Sequence, residues 1–416
     1  MNVSVSEARL RTDIERTAEF GAVDAEEGRG RTVLTGTEPN RAAREYLVER
    51  LDDAGLDVRV DAVGNVVGRW TPPSADPDAA PVASGSHLDS VPEGGIFDGP
   101  LGVYGALEAV RAMQDGGVEP ARPIEVVSFT EEEGQRFASG VLGSSVAAGV
   151  RPVADALALE ADDGTTLGAA LDEIGFRGDG RLDAADWDAW LELHIEQSTR
   201  LTDAGAAVGV VTDVTGITHC EVEIVGEANH AGSTPMDART DALAAASEFV
   251  LAVERAAKRL ADEHETPVGT VGSLGVSPNA TNVVPGSATL GLDVRDVTQD
   301  RIEELVGHAR ETLDRLESER GVSTHIERPF DVAPMPTSDR VRRAASDAAD
   351  RVGVTAIDCH SGAFHDTTHV ARETDAGMLF APSEGGVSHT PREWTDWADC
   401  AAATEVLAAS LADLAT

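Results

Sequence analysis

The sequence predicts an α/β fold. A mostly parallel sheet forms the main domain, and a ferredoxin-like α+β domain is inserted into it. Three observations carry this expectation. Apolar runs that end in polar residues alternate with helical periods over the first half of the chain. From about Gly209 the texture becomes strand–helix–strand–strand–helix–strand, and from about Pro329 the first texture returns. The expected limits are 1–208 plus 329–416 for the main domain and 209–328 for the insert.

The elements follow in order. RAAREYLVERLDDAGL (41–56) has apolar residues at helical spacing and stops at Gly55. VRVDAVGNVVGRW (58–70) reads as strands around a Gly-Asn turn, and TPPSADPDAAP (71–81) as a loop. PVASGSHLDS (81–90) is a short buried strand running into polar residues. GVYGALEAVRAMQDGG (102–117) is a helix ending in Gly-Gly, and PIEVVSFTEEE (123–133) a strand ending in carboxylates. GVVTDVTGITHCEVEIVGEA (209–228) alternates like one antiparallel strand of the insert. A helix over about 237–261, strands over about 268–276 and 282–296, a helix over about 299–319 and a strand over about 321–328 complete the insert. SDRVRRAASDAADRVG (338–353) is again a helix and MLFAPSEGG (378–386) a strand and loop.

Charge excludes whole classes of function. With 33 basic and 74 acidic residues the net charge is −41. Nucleic acid and anionic membranes require clustered cations and are excluded as partners. Lys258 is the only lysine; every other basic residue is Arg. Acidic, lysine-poor composition reads as adaptation to high salt, where a Debye length of roughly 3 Å screens self-repulsion. Cys220, Cys359 and Cys400 are scattered and form no disulfide framework. The first twenty residues lack an apolar leader core, so the expected location is cytoplasmic.

Five segments concentrate the chemistry. They are SHLDS (His87, Asp89), FDGPLGV (Asp98), FTEEEGQRF (Glu131, Glu132, Glu133), ELHIEQS (His194, Gln197) and GGVSHTP (His389). Each sets His or carboxylate beside a predicted strand end, where open α/β sheets deliver functional groups. Imidazole and carboxylate without thiolate suit Zn²⁺, Mn²⁺, Co²⁺ or Ni²⁺. Three His, a Glu and an Asp that could bridge are too many for one tetrahedral site with an open position. Two ions can share a hydroxide and polarise a carbonyl. Glu132, beside Glu133, is placed to act as general base.

These segments resemble the dinuclear-metal amidohydrolases related to aminoacylase and carboxypeptidase G. Within them the match is to the hydantoinase/carbamoylase branch, which includes N-carbamoyl-L-amino-acid hydrolases and allantoate amidohydrolases. It rests on SHLDSVPEGGIFDGPLGV, EEGQRFASGVLGS, ELHIEQS, NHAGSTPM and NATNVVPGSATLGLDVR, and covers nearly the whole chain. The resemblance implies that His87, Asp98 and His194 bind one divalent ion, and that Asp98, Glu133 and His389 bind a second, with Asp98 bridging. It implies Glu132 as general base and Asp89 as the residue that holds the His87 ring. His230 would stabilise the oxyanion, Arg295 would hold a substrate carboxylate, Asn282 would bond that carboxylate or the ureido group, and Gln197, Ser361 and Gly362 would face the substrate. The insert would be a lid and dimerisation domain of a homodimer. The substrate would be a carboxylate-bearing ureido compound, whose non-peptide C–N bond is hydrolysed. An N-carbamoyl-L-amino acid is preferred to allantoate, and a peptide or N-acyl amino acid ranks below both. Two positions depart from the family: Ser198 and Phe364 stand where glycine is usual.

Lowering salt is expected to unfold or dissociate the protein before it alters the metal chemistry, because the unscreened repulsion is spread over the surface. Circular dichroism and bound-metal content, followed together through a KCl dilution series, check this order.

Overall fold

The computed structural model describes residues 3–138 and 140–416. The chain divides into two compact units, one running to Thr212 and resuming at Thr337, the other Asp213–Pro336.

In the first unit, four parallel strands form the centre of a mixed sheet: Ile124–Phe129, Val82–His87, Ala189–Ile195 and Asp375–Ala381, side by side in that order. Antiparallel strands extend it on both sides, Val66–Trp70 and Asp57–Val60 at one edge and Val208–Val214 at the other. The first three of the central strands are buried along their whole length, and within them Ser86 of one is paired with Glu192 of another at 2.8 Å. The pleat splits them between two cores. Val82, Ile124, Val126, Leu191 and Leu193 face the helices Pro100–Asp115, Asp339–Val352 and Trp397–Leu414. Ala83, Val127, Phe129 and Trp190 face the other way, with Trp187 stacked on Trp190.

Helix Trp397–Leu414 is absent from the sequence reading for a physical reason. Its buried residues lie on nearly every side, so it has no amphipathic period to detect.

The segment 209–228 is two strands and not one. Val208–Val214 pairs with Asp375–Ala381 through Val210 opposite Leu379, which ties the start of the segment to the large sheet. Gly216–Val225 begins the sheet of the second unit. Likewise Ser323–Val332 pairs with Gly216–Val225, so the chain stays in the second unit past Pro329. The unit boundaries therefore fall a few residues later at each end than the sequence texture places them.

The second unit is a four-stranded antiparallel sheet in the spatial order Val268–Ser277, Ser287–Asp296, Gly216–Val225, Ser323–Val332. Helices Ala242–Glu263 and Gln299–Arg320 cover one face, packing Phe249, Ile302 and Leu313 over Val222, Ile224, Leu290 and Leu292. Along Ser287–Asp296 the even-numbered residues are buried under these helices, which leaves Asp293 and Arg295 on the uncovered face.

Helix Pro100–Asp115 lies close on the sheet because Gly102 permits it. A Cβ there would sit 2.4 Å from the Leu193 carbonyl oxygen and 2.6 Å from Ser86 Cβ. Gly102→Ala should cost about 1–3 kcal/mol, read as a lowered midpoint of chemical denaturation. Gly272→Ala, in an edge strand with open space at its Cβ, should change stability by less than about 0.5 kcal/mol.

Candidate metal centre

The C-terminal ends of the parallel strands converge on one carboxylate. His87 closes strand Val82–His87, His194 lies in Ala189–Ile195, and Glu132 and Glu133 follow Ile124–Phe129. Asp98 precedes helix Pro100–Asp115, and His389 lies in the loop after Asp375–Ala381. Asp98 Oδ1 is 3.4 Å from His87 Nε2 and 3.2 Å from His194 Nε2. Its Oδ2 is 3.5 Å from His389 Nε2, which is itself 3.5 Å from Glu133 Oε2. His87, Asp98 and His194 form one compact ligand set, and Asp98, Glu133 and His389 a second. The two sets share Asp98, one oxygen toward each.

The tautomers suit cation binding. His87 Nδ1 donates to the Asp89 carbonyl at 3.1 Å and His194 Nδ1 to the Ile195 carbonyl at 3.0 Å, so both Nε2 lone pairs point inward. His87 Nε2 is buried and has no hydrogen-bond partner. A buried orphan acceptor beside three carboxylates fits a divalent cation.

Electrostatics agree. Burial raises the Asp98 carboxyl, but His194 and His87 outweigh it and hold Asp98 well below its ordinary value. Burial, then Asp98, push Glu133 up to about 8. Burial drives Glu132 well above its ordinary value, against the pull of His87. Burial opposes charge on His194, but Asp98 and Glu192 overcome it, and the ring titrates at about 8. Burial likewise opposes charge on His87, and Glu132, Asp98 and Asp89 reverse it. The pocket holds more carboxylate than its histidines neutralise comfortably.

The other candidates of the first unit make contacts that the sequence does not specify. Only the carbonyl of Asp89 hydrogen-bonds the His87 ring; its carboxylate accepts the backbone N–H groups of Glu132 and Glu133 at 3.2 and 3.1 Å. Asp89 thus fixes the turn that carries Glu132 and Glu133. Gln197 donates to Asp98 Oδ2 at 2.9 Å and to Ser388 at 3.2 Å, so its amide is turned to the shared carboxylate. The Ser361 hydroxyl is engaged by the Ala363 carbonyl and by His365 Nε2 at 2.9 Å, and the His365 ring meets His194 edge-on. Gly362 is exposed. Phe364 packs edge-on against His369, and Ser198 donates to Glu196. Glu131, Gln197 and His389 all have left-handed backbone, with φ of 56°, 58° and 58°.

The second unit carries the other candidates. His230 pairs with Val283 in a two-stranded ribbon, and the Asn282 carbonyl accepts the N–H of Ala231. His230 Nδ1 accepts the N–H groups of Gly232 and Ser233, both at 3.0 Å, which puts the ring proton on Nε2. Arg295 is paired with Asp293, Nε to Oδ1 at 2.9 Å and an Nη to Oδ2 at 3.1 Å, and His219 Nε2 lies 3.0 Å from Asp293 Oδ2.

Residues 83–413 match the profile of Peptidase family M20/M25/M40. The chain belongs to this family. Within the M20 family it is 40% identical over 400 residues to N-carbamoyl-L-amino acid amidohydrolase of Geobacillus stearothermophilus, covering 94% of this chain and 95% of the relative. It is 35% identical over 385 residues to allantoate amidohydrolase of Bacillus subtilis, 92% and 91% of the two chains. A crystal structure of an amidase of the hydantoinase/carbamoylase family from Burkholderia multivorans superposes with a TM-score of 0.92 at 36% identity, covering 99% of this chain and 98% of that one. This M20 protein is accordingly a hydrolase of the amidohydrolase type, with His, Asp and Glu groups able to bind metal. Among the described residues no helix is long and apolar enough to cross a membrane.

Sequence reasoning passed over Ser388, Glu393 and Arg31. Ser388 directly precedes His389 and Glu393 follows it by four residues, a proximity that was available as a signal. Arg31 lies in a segment with no helical or strand period.

A cation bound by Glu133 and His194 would displace their protons, since burial and neighbouring charges push both groups up to about 8. Affinity should therefore climb as pH rises toward about 8 and flatten above it. The same raised values mean that the metal-free fold binds more protons than the unfolded chain. Its stability should fall as pH rises from 4.5, the ordinary Glu value, and more steeply from 6.5, the ordinary imidazole value, to about 8. Isothermal titration with Co²⁺ and thermal unfolding of the metal-free protein across that range check both signs.

Proposed function

We propose that this hydrolase cleaves an N-carbamoyl-L-amino acid to the amino acid, CO₂ and ammonia, using two divalent ions per subunit (Zn²⁺, or Mn²⁺, Co²⁺ or Ni²⁺). The observation that carries the reading is the Asp98 carboxylate, with one oxygen toward His87 and His194 and the other toward His389, beside Glu133. His87, Asp98 and His194 would hold one ion, and Asp98, Glu133 and His389 the other. When bound, the ions supply Lewis acidity toward a carbonyl oxygen and make water a stronger acid.

The chain's own residues do the rest. Glu132, whose Oε2 lies 3.6 Å from His87 Nε2, takes a proton from the attacking water and delivers it to the leaving nitrogen. Asp89 holds the Glu132–Glu133 turn in place through two backbone N–H groups. His230, with its proton fixed on Nε2, donates to the oxygen that gains charge in the tetrahedral intermediate. Arg295 grips the substrate carboxylate in a two-point contact, and Asn282 assists. The second unit serves as lid and as dimerisation domain, and Gln197 and Gly362 border the substrate. The protein works in the cytoplasm of a salt-rich cell. Support for the substrate class comes from the relatives named for N-carbamoyl-L-amino acids, 33–40% identical to this chain. Allantoate is the second reading, carried by the relative named for it.

Ammonia release from carbamoyl-amino acids, allantoate, acetyl-amino acids and dipeptides, in about 2–4 M KCl with each metal in turn, should be highest for a carbamoyl-amino acid. Amine release must be followed in parallel for the last two classes. Glu132→Gln should lower kcat by about 10²–10⁴-fold. A loss of less than about tenfold would overturn its role as base.

A further inference from the structure

The loop that carries Asp98 is held by two buried ions of opposite sign, neither of which is a candidate ligand. Arg31 is fully buried in the short strand Gly30–Arg31. Its guanidinium donates to four main-chain carbonyls: Gly95 at 3.3 Å, Leu88 at 3.1 Å, and Asp89 and Asp98 at 3.4 Å each. These carbonyls flank His87 on one side and Asp98 on the other. Glu393, also buried, supplies the complementary half. Its Oε1 accepts the N–H groups of Phe97 and Asp98 at 2.9 and 3.0 Å. Its Oε2 lies 3.0 Å from the Ser388 hydroxyl, which is 2.7 Å from Asp98 Oδ2. The main chain of Asp98 is thus fixed at its N–H by an anion and at its carbonyl by a cation, while Ser388 reaches its side chain.

Sequence and packing agree with a purpose-built seat. Gly95 runs directly over the Glu393 carboxyl, and a Cβ there would lie 2.1 Å from its carboxyl carbon. Glu393 is the strongest charge opposing the loss of the Arg31 proton on burial. Buried charges of this kind generally weaken a fold relative to apolar residues of equal volume, so stability alone does not account for them.

We propose that Arg31 and Glu393 are positioning residues, a charged clamp on the main chain of segment 95–98 that sets where Asp98 stands between the two ions. The clamp rests on the reading of Asp98 as a ligand to both. It predicts that loosening either jaw weakens both ions together, because the shared ligand moves.

The test uses the full chain in molar KCl with Co²⁺ as the probe. Glu393→Gln keeps the shape and one acceptor oxygen but removes the charge. Arg31→Lys replaces a four-carbonyl fork with a point charge. For both variants, Co²⁺ affinity of both ions should fall by about 10–100-fold and the visible absorption of the bound Co²⁺ should shift. The near-UV circular dichroism of the metal-free form should stay at wild type. Wild-type affinity and absorption in Glu393→Gln would overturn the clamp. So would loss of the metal-free native spectrum in both variants, which would make the pair ordinary parts of the core. Asp98→Asn separates the two levels. If it too keeps both ions, the shared-ligand reading fails; if it loses them while Glu393→Gln keeps them, only the clamp fails.

Discussion

The arrangement turns on the burial of one carboxylate, Asp98, among groups of both signs. Asp98, Glu132 and Glu133 are drawn together with His87 and His194 at the ends of parallel strands, away from water. Such a cluster is costly unless positive charge balances it. Protons on the histidines and glutamates balance it. The surrounding fold serves this constraint. The sheet is covered on both faces, so strand ends meet in a buried floor, and Gly102 lets helix Pro100–Asp115 press against the strands that bear His87 and His194.

Much of this was legible in the sequence, for identifiable reasons. Strands buried on both faces are dominated by small and apolar residues, so the histidines and carboxylates at their ends stand out. His87, Glu133 and His194 could be named for that reason, and Asp98 and His389 through their flanking motifs. The alternating burial of Ser287–Asp296 and the long amphipathic helix Ala242–Glu263 made the second unit equally plain. What escaped has physical causes too. Helix Trp397–Leu414 is buried all round and carries no period. The join at Thr215 is hard to see because two strands of different sheets follow one another with a single residue between them.

Side-chain direction was the other blind spot. A motif says that Asp89 lies near His87, but only coordinates reveal that its carboxylate serves the Glu132–Glu133 backbone while its carbonyl serves the imidazole. Gln197 belongs to an equally recognisable motif, yet its amide addresses Asp98. Arg31 acts entirely through main-chain carbonyls, a role that leaves no pattern in a single sequence.

Glu131, Gln197 and His389 hold left-handed backbone conformations that their side chains disfavour, at a cost of order 1–3 kcal/mol each. Glycine would relieve that strain at any of the three, but it would also delete the loop anchor at Glu131, the contact to Asp98 at Gln197, or the imidazole at His389. The loops around the centre therefore cannot be made more stable by the simplest backbone remedy. A hardier protein must be sought through the helices, the second unit and the surface, leaving a comparatively taut rim around the His and carboxylate cluster.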